Sequence, residues 1–136
     1  MNKEWGQTDT VAITKSIQVE LIAVEPGGYC SIHFHNYKDN LFLVLSGTLT
    51  VRWGWRELAI VTAQVSPMIE ELTGLSSCLL IPAGVLHQFE NLGTEPVRAV
   101  EVYRAKPGLD LDPQGTNDIV RFSTGGRNVG DGDSGD

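Results

Sequence analysis

The chain has 136 residues, 41% of them apolar and 20% charged, with a formal charge of −7. This length suits a single domain with a sizeable core, and the acidic balance argues against nucleic acid or an anionic membrane as partner. No apolar run is long enough for a membrane span, no basic-then-apolar leader is visible near Met1, and two cysteines, Cys30 and Cys78, are too few for a disulfide framework, so a reduced pair in the cytoplasm is expected.

Residues 1–15 carry little pattern and read as an N-terminal arm. From Ser16 the chain turns strand-like: Ile17, Val19, Leu21 and Ala23 alternate with Gln18, Glu20 and Ile22, the period-two signature of a strand. Glu25-Pro26-Gly27-Gly28 is a turn, and residues 29–35 make the next strand. Leu41 to Leu45 is continuously apolar, as expected for a strand covered on both faces. Ser46-Gly47 ends it, Thr48 to Trp53 is its hairpin partner, and Gly54 marks a further turn. Pro67 to Leu72 reads as one helical turn opened by proline and stopped by Gly74. Strand character returns over 78–81, 85–92 and 97–104. The last segment, 106–136, is rich in Gly and Asp and reads as a C-terminal extension, low in complexity from Gly125. Many short strands between Gly/Pro turns imply an all-β sandwich or barrel, made of residues 16–105.

The chemistry lies in three histidines, His33, His35 and His87. Side chains two apart in a strand share a face, so His33 and His35 point together while Ile32 and Phe34 point away. Two imidazoles on one face suit chelation of a single ion. His87 lies on a later strand, with Phe89 and Asn91 in the same phase, and would complete a three-nitrogen face if that strand meets the first across a barrel. Imidazole serves manganese, iron, zinc and nickel, so the ligands do not name the metal. Cys30 has the opposite parity and is not expected at the same ion.

The spacing around these histidines is itself informative. Gly27, five residues, His33-Phe34-His35, four residues, Asn40, six residues and Gly47 form one pattern; Pro82-Ala83-Gly84, two residues, His87, three residues and Asn91 form another. Both resemble the signature motifs of the cupin superfamily, whose fold is a double-stranded β-helix of jelly-roll type. The resemblance implies one divalent transition metal, from among manganese, iron, zinc and nickel, held inside the barrel by His33, His35 and His87. The family's fourth ligand, a glutamate, is here Asn40, and its second-motif glycine is Ser76. A neutral amide at position 40 leaves the site with one more unit of positive charge and a weaker oxygen donor. Neutral three-histidine faces also occur among cupin-type dioxygenases that use ferrous iron. Val100-Glu101-Val102 with Asp118-Ile119-Val120-Arg121-Phe122 is similar to the end of the cupin domain in mannose-6-phosphate isomerases of the bifunctional type, which implies a sugar or sugar-phosphate ligand.

Glu101 alternates with Val97, Ala99 and Tyr103 against Arg98, Val100, Val102 and Arg104. If its face is the cavity, Glu101 is the catalytic base and Tyr103 and Phe89 contact substrate; the apolar Val100 and Val102 lean toward the opposite assignment. Trp53 and Trp55, flanked by Arg52 and Arg56, suit packing or a subunit contact better than a stacking surface for ligand. Arg98, Arg104 and Lys38 are candidates for receiving a phosphate. The expectation is therefore a metal-binding small cupin acting on a small oxygenated substrate as an isomerase, with a three-histidine iron dioxygenase or a non-catalytic binding module as alternatives. A homodimer is expected, with Trp53, Trp55 and the arm as its apolar material.

Overall fold

The computed structural model describes residues 1–55, 67–74, 77–111 and 118–128. Among them the chain forms thirteen strands in two antiparallel sheets and no helix, as a jelly-roll barrel requires. The first sheet runs β1 (Asn2–Lys3), β2 (Gly6–Ile13), β3 (Ile17–Val24), β11 (Val97–Ala105), β6 (Lys38–Ser46) and β9 (Cys78–Ile81). The second runs β12 (Ile119–Arg121), β5 (His33–His35), β10 (Leu86–Glu90), β4 (Gly28–Tyr29) and β13 (Gly126–Arg127); β7 (Thr48–Trp55) joins it through β10, and β8 (Met68–Thr73) pairs with β7.

The core sits between the sheets. Ile22, Val24, Phe42, Val44, Val97 and Ala99 from the first meet Leu49, Val51 and Phe89 from the second. Two motif glycines shape its edges. Gly47 turns β6 into β7 at φ 83°, a left-handed conformation that costs a side-chain-bearing residue energy. Gly27 has φ 82°, and a Cβ there would lie 1.9 Å from the Asn128 carbonyl oxygen. Glycine is required at position 27 because the chain's far end passes directly against it.

Several sequence expectations change. Both segments expected to lie outside the barrel extend its sheets: β2 runs along β3, and β12 and β13 flank β5 and β4. The helical turn expected after Pro67 is a strand, because Met68–Thr73 pairs with β7 over its whole length; Gly74, at φ 74°, still ends the segment. The run at Leu41–Leu45 is not covered on both faces. Phe42 and Val44 are fully buried, Leu41 and Leu43 only partly, and Leu45 is exposed. On β3 the inward set is Glu20, Ile22 and Val24, while Ile17 and Leu21 are exposed. Ser76, Arg56 and the Trp55 side chain lie outside the described residues; Trp53 packs half-buried against the core.

The inner face of the first sheet divides in two. Opposed residues of antiparallel strands share a face, so the pairings define rows. One row is Val44, Ala99 and Ile22, apolar up to Thr8 at its β2 end; the next is Phe42, Glu101, Glu20 and Thr10; the third is Asn40, Tyr103 and Gln18, between Ile81 and Ile13. Apolar packing fills one end of the barrel, and polar side chains line the other.

Candidate metal centre

His33 and His35 occupy β5, and His87 on β10 is the register partner of His33. All three are buried, and one ligand nitrogen from each lies within 4.8 Å of the others. Ring centroids are 4.4 Å apart for His33–His87 and 4.9 Å for His33–His35.

Hydrogen bonding sets the tautomers. His33 Nδ1 lies 2.8 Å from the Ser31 carbonyl oxygen, and His87 Nδ1 lies 3.0 Å from that of Val85. A carbonyl only accepts, so both Nδ1 atoms carry hydrogen and both Nε2 atoms present a lone pair. His35 Nδ1 faces Asp118 Oδ2 at 3.4 Å, and its Nε2, buried, has no hydrogen-bond partner among the described residues. A buried acceptor without a partner is costly, and the convergence of His35 Nε2 with the ring nitrogens of His33 and His87 answers a metal's requirement for neutral imidazole. The Nδ1 atoms of His33 and His87 are hydrogen-bonded to carbonyls, the support that metal-binding histidines ordinarily have, and that of His35 approaches the Asp118 carboxylate without a hydrogen bond.

The electrostatics keep these rings neutral. Burial lowers the pKa of His33 well below its usual range, and the neighbouring His87 and His35 lower it further. Burial likewise lowers His35, against the opposing pull of Asp118, and brings His87 down to about 4. At neutral pH all three are available as ligands.

Asp118 was not singled out from sequence as a site residue, although it is the anchor of this group. Its Oδ1 accepts the Tyr37 backbone N–H at 2.6 Å, and its Oδ2 faces both His35 Nδ1 and Lys38 Nζ, the latter at 3.5 Å. Burial alone would raise its pKa; the contacts with His35, Tyr37 and Lys38 outweigh that and lower it. No periodicity could have found it, because 83 residues separate Asp118 from His35 and it stands immediately before a three-residue strand.

Asn40 is brought to the centre. Its Nδ2 lies 3.4 Å from His87 Nε2 and donates to Glu101 Oε2 at 3.0 Å, while its buried Oδ1 has no partner among the described residues. Glu101 faces inward, against the lean suggested by Val100 and Val102, and it also accepts the Tyr103 hydroxyl at 3.0 Å. Burial raises the Glu101 pKa, partly offset by these two donors; burial and the adjacent Glu101 push Tyr103 well above its usual range. Lys38 Nζ sits 4.2 Å over the Tyr103 ring. Asp39 points away, as parity predicts, to Arg104. Arg98 and Arg104 are on the outer face, remote from any ligand in the barrel.

His33, His35, Lys38, Glu101 and Tyr103 open onto a cavity of about 800 Å³, also lined by Phe89 and Arg121 among others. Cys30 also lines it. The parity argument fails for Cys30 because residues 30–32 lie between strands, but the conclusion stands: its Sγ accepts the Phe89 N–H at 3.1 Å, and burial pushes its thiol pKa up, so it is no thiolate ligand.

Comparison with known proteins places this architecture. The family described as mannose-6-phosphate isomerase C-terminal matches residues 1–124. The xanthan biosynthesis protein XanB of Xanthomonas campestris pv. campestris is 32% identical over 120 residues, which are 88% of this chain and 22% of that protein. The chain thus spans about a fifth of the length of the curated relatives it matches. Among solved structures, a double-stranded β-helix protein from Klebsiella pneumoniae superposes with a TM-score of 0.64 at 18% identity, covering 88% of this chain and 80% of that one. The oxalate decarboxylase of Bacillus subtilis, described for its manganese centres, gives 0.64 at 19% identity over 83% of this chain and 29% of its own. At such identities these structures establish the fold alone.

Proposed function

The chain belongs to the family of mannose-6-phosphate isomerase C-terminal domains, cupins in fold, and from that premise we propose that it is a metal-dependent isomerase of a sugar or sugar phosphate. One observation carries this beyond family likeness. Glu101 is held on the cavity wall by two donors, Asn40 and Tyr103, and Asn40 in turn contacts His87. A carboxylate harnessed one side chain away from a triple-imidazole face is a base positioned beside a Lewis-acid site.

A divalent ion of the manganese, iron, zinc or nickel class, held by His33, His35 and His87, would supply polarisation of a carbonyl or hydroxyl oxygen. Glu101 takes a proton from the carbon beside the carbonyl and returns it to the former carbonyl carbon, while the hydroxyl proton passes to the former carbonyl oxygen, so the isomerisation leaves composition unchanged. Its raised pKa suits both halves of that transfer. Tyr103 fixes the carboxylate through its hydroxyl, and Phe89 forms an apolar part of the wall. An iron dioxygenase would use the same imidazoles, but it requires no protein base, and the built support around Glu101 would have no task.

The test is solvent deuterium exchange. Metal-loaded protein, incubated in heavy water with mannose 6-phosphate and with free mannose, should place deuterium at the carbon next to the carbonyl. Glu101→Gln should retain the metal and lose the exchange at least a hundredfold. Oxygen consumption without exchange would transfer the reading to the dioxygenase, and neither activity would leave a non-catalytic binding module. The two unpaired cysteines, one of them exposed, support a reducing, cytoplasmic setting. No helix among the described residues is long and apolar enough to cross a membrane.

We also infer a homodimer, through a surface other than the tryptophans. The outer face of the first sheet aligns Leu21, Val100, Leu43 and Cys78 in one row and Val19, Val102, Leu41 and Leu80 in the next. Leu21 and Leu80 are exposed, and the other five aliphatic residues are half-buried. At about 4.8 Å between strands and 6.8 Å between same-face residues, this apolar patch reaches a few hundred Å², the size that marks an interaction site. The Arg104–Asp39 pair and Arg98 give it a polar rim, the anatomy of a self-complementary interface.

A further inference from the structure

The cavity continues past Glu101 into a part of the barrel that the isomerase reading leaves without a role. There Glu20 on β3 is the register partner of Glu101 on β11, so two carboxylates stand side by side on the inner face. Glu20 is 8% exposed. Its Oε1 accepts both the Thr10 hydroxyl, at 2.8 Å, and the Gln18 amide, at 2.5 Å. Its Oε2 is buried with no hydrogen-bond partner among the described residues, and the side chain lines the same cavity as His33 and His35.

A buried carboxylate oxygen without a donor is unfavourable. Both groups that bond Glu20 are neutral, and no ion pair to it occurs among the described residues. The position therefore calls for a further donor, and the cavity admits one. Because the neighbouring acid, Glu101, already carries the catalytic proton traffic, a donor that brings several hydroxyls fits better than a single charged group. Thr10 and Gln18 can each accept as well as donate, which matches hydroxyls that need both.

We propose that Glu20, with Gln18 and Thr10, forms a hydroxyl-binding subsite for the chain of a sugar or polyol whose carbonyl end lies at the histidines. Strand geometry supports the reach. Asn40 on β6 and Glu20 on β3 are two strand spacings apart, about 10 Å. A two-carbon hydroxyaldehyde cannot bridge that distance, whereas a six-carbon sugar spans most of it. The inference rests on the isomerase reading for its choice of ligand, and it adds what measures substrate length.

The experiment uses the metal-loaded protein and calorimetric titration with D-mannose and with glycolaldehyde. Glu20→Gln preserves shape and should weaken mannose binding about ten- to a hundredfold, the range for losing a hydrogen bond to a charged group. Metal stoichiometry and the glycolaldehyde affinity should stay the same. Gln18→Ala, at a half-buried position, should shift mannose in the same direction by a smaller factor; it serves as the second variant should Glu20→Gln fold poorly. Equal mannose affinity in both variants overturns the subsite and leaves the isomerase reading intact. Binding of neither carbonyl compound by the wild-type protein removes both. A second equivalent of metal, lost in Glu20→Gln, assigns the carboxylate to a cation and overturns the hydroxyl subsite.

Discussion

His33 and His87 face each other directly across two neighbouring strands, register partners with ring centroids 4.4 Å apart. Each spends its Nδ1 hydrogen on a backbone carbonyl two residues earlier in its own chain, Ser31 and Val85. The backbone that places the two rings also fixes which nitrogen each presents. Neither can therefore be replaced by a neighbour, and three imidazoles are the minimum for a firm site. His87→Ala should lower the metal content of purified protein at least tenfold. Elemental analysis showing unchanged stoichiometry would remove His87 from the ligand set.

Asp118 places its carboxylate 3.4 Å from His35 Nδ1, on the side where carbonyls meet the other two rings. Asp118→Asn keeps the shape and the Tyr37 contact but weakens the pull on the His35 Nδ1 hydrogen. Loss of such support costs about 10- to 100-fold in metal affinity. A competition titration against a chromophoric chelator measures this directly. Affinity within twofold of wild type would make Asp118 a partner of Lys38 only.

The buried histidines also set a pH dependence. His87 titrates near 6.5 when unfolded and at about 4 when folded. Between those values the unfolded chain binds a proton that the folded one does not, so stability falls as pH drops through this window. For His87 alone the gap corresponds to about 3 kcal/mol, and His33 and His35, also lowered by burial, act in the same direction. Metal-free protein should thus lose denaturant resistance steadily from about pH 6.5 to pH 4. A urea midpoint that stays flat over that range would show the rings to be open to solvent.

The two motifs made the barrel and its three histidines legible through their resemblance to the cupin signatures, because glycines at forced turns and imidazoles at a common ion leave positional traces; strand alternation alone leaves sandwich and barrel open. What stayed hidden was of another kind. The phase of β3 is not legible because Ile17, Val19 and Leu21 are as apolar as Ile22 and Val24, and alternation cannot tell a core face from an apolar outer one. Strand β2 is mostly exposed and is specified by main-chain pairing with β3, which leaves no hydrophobic period. The same ambiguity leaves the face of Glu20 open in the sequence, and with it the polar strip inside the barrel.

The apolar outer face yields its own prediction. If Leu43 and Val100 form the centre of a dimer contact, Leu43→Asp introduces like charges across a two-fold axis and should give a monomer at micromolar concentration, while the metal content stays unchanged. Light scattering of the wild-type protein should give twice the mass of one chain. A monomeric wild type would leave the patch to another segment or partner, and a dimeric Leu43→Asp protein would move the contact to the tryptophan side.

Asn40 decides between holding the metal and holding the base. Its amide nitrogen donates to Glu101 and touches His87 Nε2. Asn40→Glu would supply the anionic oxygen that the wider superfamily uses at this position, so affinity for manganese or nickel should rise. The same change removes the donor to Glu101 and sets a second carboxylate beside it, with burial already opposing its charge. Isomerase exchange should therefore fall at least tenfold while metal affinity rises. This opposite movement of two readouts is the signature of a residue that positions the base. If metal titration and deuterium exchange both rise, Asn40 is only a weakened ligand and Glu101 does not depend on it. If the affinities of the two proteins are equal, the position-40 side chain points away from the ion, and the comparison with the superfamily's fourth ligand has to be withdrawn.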